Sequence, residues 1–196
     1  MTINCIYIVT LLGLALSAGA HSPHSPATAA SSNTLVVMHL DGVEFSSDEG
    51  RMSIVMPPGY TEPEESISPM ATPNGNVDLK MYSSTLGSSA AMVAFANMDG
   101  KLEMEGKEKA MLDGARDNVL KTMNGALLKK EKAIMIDGHP GRRLLMSMKS
   151  GGIKLYGRLE MYMAAPMMYE VMYVTDKRAA LESATVNDFF SSFTLH

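Results

Sequence analysis

Cysteine is almost absent from this chain, and its absence limits how the fold can be stabilised. One of the 196 residues is a cysteine, Cys5, and it lies in the uncharged segment formed by the first twenty residues. A lone thiol cannot close an intramolecular disulfide, and Cys5 lies too early in that segment to be a lipoprotein acylation site. The folded part must therefore be stabilised by burying an apolar core.

Aromatic residues and concentrated basic charge are also scarce. The chain has five Phe, seven Tyr and no Trp, and its formal net charge is −4. Proteins that bind nucleic acids usually combine a basic face with aromatic side chains, so we predict no nucleic-acid partner. Residues 21–120 carry 14 acidic and 6 basic side chains, whereas residues 121–196 carry 7 and 11. This asymmetry predicts two solvated faces of opposite charge.

Catalytic motifs are absent as well. The sequence contains no Gly-x-Ser-x-Gly, no His-Glu-x-x-His and no glycine-rich phosphate loop. His139, two residues after Asp137, could act as a general base, but no nucleophile in a recognised context accompanies it. We interpret His139 as a turn residue and predict that the protein is not an enzyme.

The first twenty residues have the pattern of a signal peptide. An apolar run at residues 6–16 is shorter than the roughly 20 residues that span a bilayer, and Ala18-x-Ala20 offers the small side chains that signal peptidases accept. We predict cleavage after Ala20 and export to the periplasm or the medium. The alternative is that the segment is not cleaved and remains as a membrane anchor. No later segment is apolar enough to span a membrane.

The rest of the chain is predicted to form one domain. Residues 21–34, rich in Ser, Pro and Ala, indicate a flexible tether, and residues 35–196 are expected to fold together. Apolar residues recur at three- and four-residue steps in residues 103–123, which predicts an amphipathic helix. A second helix is predicted at residues 177–191.

Strand patterns occupy most of the remaining domain. Short strands are predicted at residues 51–56, 77–82 and 90–97, with an irregular edge at residues 62–69. Four more are predicted to form a C-terminal antiparallel meander, at residues 127–136, 142–149, 153–163 and 167–174. The pattern indicates an α+β fold: an antiparallel sheet of about six to seven strands flanked by helices.

Two further expectations concern side chains and backbone in the meander. Alternation in residues 153–163 places apolar side chains on one face and Lys154, Tyr156, Arg158, Glu160 and Tyr162 on the other, which we expect to face solvent. In the turn before the second strand, Gly141 follows Pro140 and is expected to adopt a positive φ.

Three segments of the chain resemble the PsbP-like superfamily. They are Phe45-Ser46 before residues 50–57 (GRMSIVMP), residues 138–142 (GHPGR) and residues 188–193 (DFFSSF). The superfamily includes extrinsic photosystem II subunits, a Ran-binding transport factor and bacterial envelope proteins of the DcrB type. The resemblance implies an α/β/α sandwich with a central antiparallel sheet, no shared catalytic residues, and an accessory or binding role.

A metal site is one candidate for the function. After cleavage, His21 and His24 would offer two imidazoles beside the new α-amine, a set of ligands that suits copper. Methionine, with 19 residues, could supply further soft ligands for copper. Yet Met146, Met148, Met161 and Met163 occupy inward positions of strands, where methionine usually fills a core.

Binding of a macromolecule or an apolar ligand is the other candidate. Arg142, Arg143, Lys129, Lys130 and Lys132 could form a basic patch for an acidic protein or lipid headgroups; the alternative is a sheet edge protected by charge. The predicted function is an exported, non-enzymatic module that binds an envelope or secreted protein. Extracytoplasmic copper binding and carriage of an apolar ligand or lipid are the alternatives.

Overall fold

Two antiparallel sheets and two α-helices make up the described part of the chain. The structure, a computed structural model, describes residues 34–39, 42–72, 74–101, 103–123, 126–150 and 152–196. The strands are β1 (Thr34–His39), β2 (Gly42–Ser47), β3 (Met52–Met56), β4 (Glu64–Thr72), β5 (Gly75–Leu86), β6 (Ser89–Asn97), β7 (Leu127–Ile136), β8 (His139–Ser150), β9 (Ile153–Ala164), β10 (Met167–Thr175) and β11 (Thr194–Leu195). The helices are α1 (Glu108–Thr122) and α2 (Ala184–Ser191), and a short 3₁₀ helix, Arg178–Glu182, precedes α2.

The large sheet has seven strands in the order β4-β5-β6-β10-β9-β8-β7. Its C-terminal meander, β7 to β10, is confirmed: β7 has the predicted bounds, and the other three strands extend the predicted ones by one to three residues at an end. Tight turns join these strands, and such turns fix the register of antiparallel neighbours. The α+β fold with a seven-stranded antiparallel sheet is therefore confirmed.

The second sheet was not predicted as a separate unit. It has four strands in the order β1-β2-β3-β11, so its last strand comes from the carboxyl terminus. Residues 62–69, predicted to be irregular, instead contribute to β4, a regular edge strand paired with β5. Pairing with a neighbour organises a segment whose own composition gives a weak strand signal.

Helix α1 covers one face of the large sheet. Its apolar stripe, including Met111, Leu112, Ala115 and Val119, is buried against side chains from β4 to β6 and β8 to β10. The helix begins at Glu108, five residues later than predicted. The four strand methionines predicted to face inward, Met146, Met148, Met161 and Met163, are all buried in this core.

The opposite face of the large sheet is also covered, which corrects the expectation that it faces solvent. The small sheet and α2 pack on it, and Arg158, Glu160 and Tyr162 are buried there. Phe45 of β2 contacts Tyr82 of β5 with ring centroids 4.3 Å apart. The molecule is thus layered, with α1 on one side of the central sheet and the small sheet with α2 on the other.

The turn between β7 and β8 differs from the predicted one. Asp137 and Gly138 form it with φ values of 47° and 82°, as a two-residue hairpin requires. The predicted positive φ at Gly141 is wrong, because Gly141 lies within β8 opposite Tyr162. A glycine is needed at this position because a side chain has no room: a Cβ there would lie 2.5 Å from Tyr162 Cδ1 and 2.7 Å from the Met161 carbonyl oxygen.

Among the described residues, the structure contains no helix that is long and apolar enough to cross a membrane.

Candidate functional site

A groove of about 660 Å³ lies at one end of the covered face, where the second layer leaves β7, β8 and β9 open. The 3₁₀ helix and α2 form its wall, and the strands form its floor. Six of the twelve lining residues are cationic, and Glu182 is the one carboxylate among them. We call this feature the basic groove; its cations are Lys129, Lys130, Arg143, Lys154, Arg158 and Arg178.

Strand register brings these cations together from separate parts of the sequence. Leu145 of β8 lies opposite Lys130 of β7 on one side and Arg158 of β9 on the other. In the next row, Arg143 lies opposite Lys132 and Glu160. Because directly opposed residues project to the same face of an antiparallel sheet, each row places its side chains on the groove side.

The floor of the basic groove is an ion-pair network centred on Glu160. Arg143 Nε donates to Glu160 Oε1 at 2.6 Å, and Arg158 donates to the same oxygen from Nε at 2.9 Å and from Nη2 at 2.6 Å. Tyr162 donates its hydroxyl to Glu160 Oε2 at 2.5 Å. Two guanidinium groups thus share one carboxylate, which leaves the floor with a net positive charge.

Arg158 bridges β9 and α2. Its guanidinium carbon lies 3.9 Å from the centroid of the Phe190 ring, and its Nη1 donates to Asn187 Oδ1 at 2.8 Å. Burial lowers the pKa of Arg158, and Glu160 opposes that shift. Burial also raises the pKa of Tyr162, which keeps its hydroxyl protonated as a donor to Glu160. The network is therefore held together by contacts within the protein itself.

The rim of the groove carries cations that are available to a ligand. Within the described ranges, Lys129, Lys130 and Arg178 are exposed and form no ion pair, and Lys154 lies 5.4 Å from the ring centroid of Tyr156. Arg143 is 36% exposed and donates to Glu160 through its Nε alone, so its two terminal nitrogens are not used in that ion pair. Exposed cations over a positively charged floor suit a ligand with several carboxylates or phosphates.

The predicted basic patch is only partly correct. The structure places Lys129, Lys130 and Arg143 in the groove, and Lys132 shares their face of β7. Arg142 points to the opposite face, where it forms ion pairs with Asp113 of α1, at 2.5 Å, and with Glu131 of β7. Neighbours in a strand alternate in direction, so Arg142 and Arg143 could not both join one patch.

The other groove residues were not predicted as a site. Lys154 and Arg158 belong to the face of β9 that the sequence pattern assigned to solvent. Their alternation in the sequence indicated that they share a face, but not that this face lines a groove. Arg178 and Asn187 come from the 3₁₀ helix and α2, and their proximity depends on how the second layer packs. No local pattern in the sequence predicts that packing.

The remaining candidates stay predictions. His21 and His24, with the proposed signal peptide, lie outside the described residues. Across the described ranges, no group of three or more His, Cys, Asp and Glu side chains could hold a metal ion. His139 is half-buried and is the first residue of β8, paired with Ile136, so it lies one residue beyond the two-residue turn that was expected to contain it.

Comparison with known proteins identifies structures with a similar fold. No family model and no curated protein matches this chain. The solution structure of cyanobacterial PsbP (CyanoP) from Synechocystis sp. PCC 6803 is 13% identical and aligns over 88% of this chain and 98% of that chain, with a TM-score of 0.50. The Ran-binding protein Mog1p of Saccharomyces cerevisiae is 9% identical over 84% of this chain and 96% of its own, with a TM-score of 0.43.

The match to CyanoP confirms the PsbP-like fold that the sequence resemblance implied. At 13% identity the likeness concerns the fold alone, so the binding surface must be argued from this chain's own residues.

Proposed function

We propose that this chain is an exported, non-enzymatic binding module that holds an acidic segment of a partner protein in the basic groove. The observation that carries the proposal is the groove itself: six cations converge on one concave surface in a chain whose net charge is −4. Such a local field attracts anionic ligands and steers their approach.

A protein ligand fits this surface better than a lipid surface or a nucleic acid. Arg158 is recessed, with 7% of its side chain exposed, so a flat bilayer surface would not reach it, whereas a narrow peptide segment could. Tyr156 is the one aromatic residue among the groove's lining residues, which is a poor platform for stacking bases. The pattern of residues 1–20 supports export of the module.

Recovery of the tagged full-length chain from its native cells, with cross-linked partners identified by mass spectrometry, tests the proposal. Three forms are compared: wild type, K130E/R178E in the groove, and K109E/K121E on the exposed side of α1. Both double variants change the net charge equally. We expect the wild type in the extracytoplasmic fraction, cut after Ala20, with an acidic partner whose recovery falls about tenfold in K130E/R178E alone.

Two results would count against the proposal. Recovery of the same partner at equal levels by all three forms would exclude the groove as the binding surface. A chain that stays in the cytoplasm with residues 1–20 attached would exclude export.

A further inference from the structure

Strand β7 is an open edge of the large sheet, and it borders the basic groove. Among the described residues, β7 pairs with β8 alone. It is ten residues long, contains no proline, and exposes three apolar side chains: Leu127, Leu128 and Met135, the last 70% exposed. A long, open and partly apolar edge is the kind of strand on which another chain can pair.

The backbone groups that are available on this edge follow from the hairpin geometry. Ile136 and His139 flank the two-residue turn, and such flanking residues exchange both of their hydrogen bonds. The pattern alternates along the strand. The N–H and C=O groups of Glu131, Ala133 and Met135 therefore point away from β8, toward the open side.

The charge of the strand selects the partner. Lys130 and Lys132 project to the groove side, and Lys129 lies at the bulge beside them. A second copy of β7 would bring lysines against lysines, which disfavours pairing between copies. An acidic strand would instead face these lysines and Arg143. Residues 21–33 of this chain contain no carboxylate, so they lack the matching charge.

The other edge of the sheet differs. Strand β4 contains Pro69, which cannot donate a backbone hydrogen bond, and it carries Glu64 and Glu65. On the α1 side of β7, Glu131 forms ion pairs with Arg116 and Arg142, so its charge is compensated. The side chains of Ala133 and Met135 complete this face of the strand.

We propose that β7 accepts an extended peptide as an eighth strand, with acidic side chains toward the basic groove and apolar side chains toward Ala133 and Met135. The inference rests on the proposed function and specifies its ligand: a segment of a partner protein in which acidic and apolar residues alternate. Backbone hydrogen bonds supply the pairing, and the two faces of the peptide supply the specificity.

The test is a fluorescence titration with a labelled decapeptide of alternating Glu and Val. Ala133 is exposed, and its N–H points to the open side, so A133P blocks the added strand while the ladder to β8 is kept. A133T is the matched control, because it retains the N–H and favours strands. We expect A133P to bind the decapeptide about tenfold more weakly than wild type, and A133T to bind as wild type does.

The remaining arms separate this inference from the proposed function. Loss of binding in K130E/R178E with unchanged binding in A133P would overturn the edge pairing and leave the groove in place. Equal binding by K130E/R178E and wild type would overturn both. Two N-methylated decapeptides give a test that does not depend on the folding of A133P, one methylated at every Val and the other at every Glu. Alternate N–H groups of an added strand point to β7, so one of the two peptides must lose binding. Retention of binding by both peptides contradicts the inference. Tighter binding to phosphatidylglycerol vesicles than to the decapeptide also contradicts it.

Discussion

Glu170 places an ionisable carboxyl group in the buried interior of the protein. It lies in β10, the central strand of the large sheet, opposite Ala94 and Met161, and it is buried on the α1 side. Its Oε1 has no hydrogen-bond partner in the structure. Burial raises the pKa of Glu170 to about 7, because the ionised form would leave its charge unsolvated.

The raised pKa predicts how stability depends on pH. Below about pH 4.5 the carboxyl is protonated in both the folded and unfolded states; as the pH rises toward 7 the unfolded state ionises first, so folding loses stability. The free energy of unfolding should fall by about 2 to 3 kcal/mol between pH 5 and pH 8 from this group. Glu170→Gln should remove that part of the pH dependence in urea denaturation and be more stable than wild type at pH 8. Parallel pH profiles for the two proteins would contradict the assignment.

At the residue scale, the sequence predicted which face of a strand a side chain joins, but not whether that face is covered. Met161 and Met163 were predicted as core residues because their alternation with polar neighbours is regular. Arg158 and Glu160 have the same regular alternation and were predicted to face solvent. They are buried because α2, far away in sequence, packs over them.

At the scale of elements, the β7–β8 hairpin offers a prediction that distinguishes close packing from backbone strain. Gly141→Ala places a Cβ against Tyr162, whose hydroxyl holds Glu160, and against backbone at Met161. We expect it to lower the free energy of unfolding by about 1 to 3 kcal/mol, the usual range for overpacking. Midpoints of urea denaturation measure the change.

Gly138 provides the control for that experiment. It has a φ of 82°, and a Cβ there would meet no atom within 4 Å. Gly138→Asn should therefore lose less than about 1 kcal/mol, since asparagine tolerates the left-handed region. If Gly141→Ala were as stable as wild type while Gly138→Asn was strongly destabilised, the role given to Gly141 would be wrong.

The elements that sequence reasoning predicted well are those defined by local signals. Turn residues bound each strand of the meander, and the stripe of α1 repeats with helical spacing. Strand β11 has two residues, and its pairing with β3 places Thr194 opposite Ser53, 141 residues earlier in the chain. A strand this short has no periodicity of its own, so the second sheet could not be assembled from local patterns.

At the scale of the whole molecule, the charge asymmetry of the sequence becomes a surface. All six cations of the basic groove come from residues 121–196, the half of the chain with excess basic charge. Composition could predict that a basic surface exists. It could not predict the groove, since β7, β8 and β9 become its floor only when the 3₁₀ helix and α2 supply its wall.

Binding of an acidic ligand in the basic groove can be followed residue by residue. The test is nuclear magnetic resonance of the ¹⁵N-labelled protein, titrated with decaglutamate at pH 7. We expect saturable chemical-shift changes concentrated in β7, β8 and β9 and in the 3₁₀ helix, with the largest at Lys130, Arg143 and Arg178. Changes spread evenly over the surface, or concentrated on α1, would contradict it.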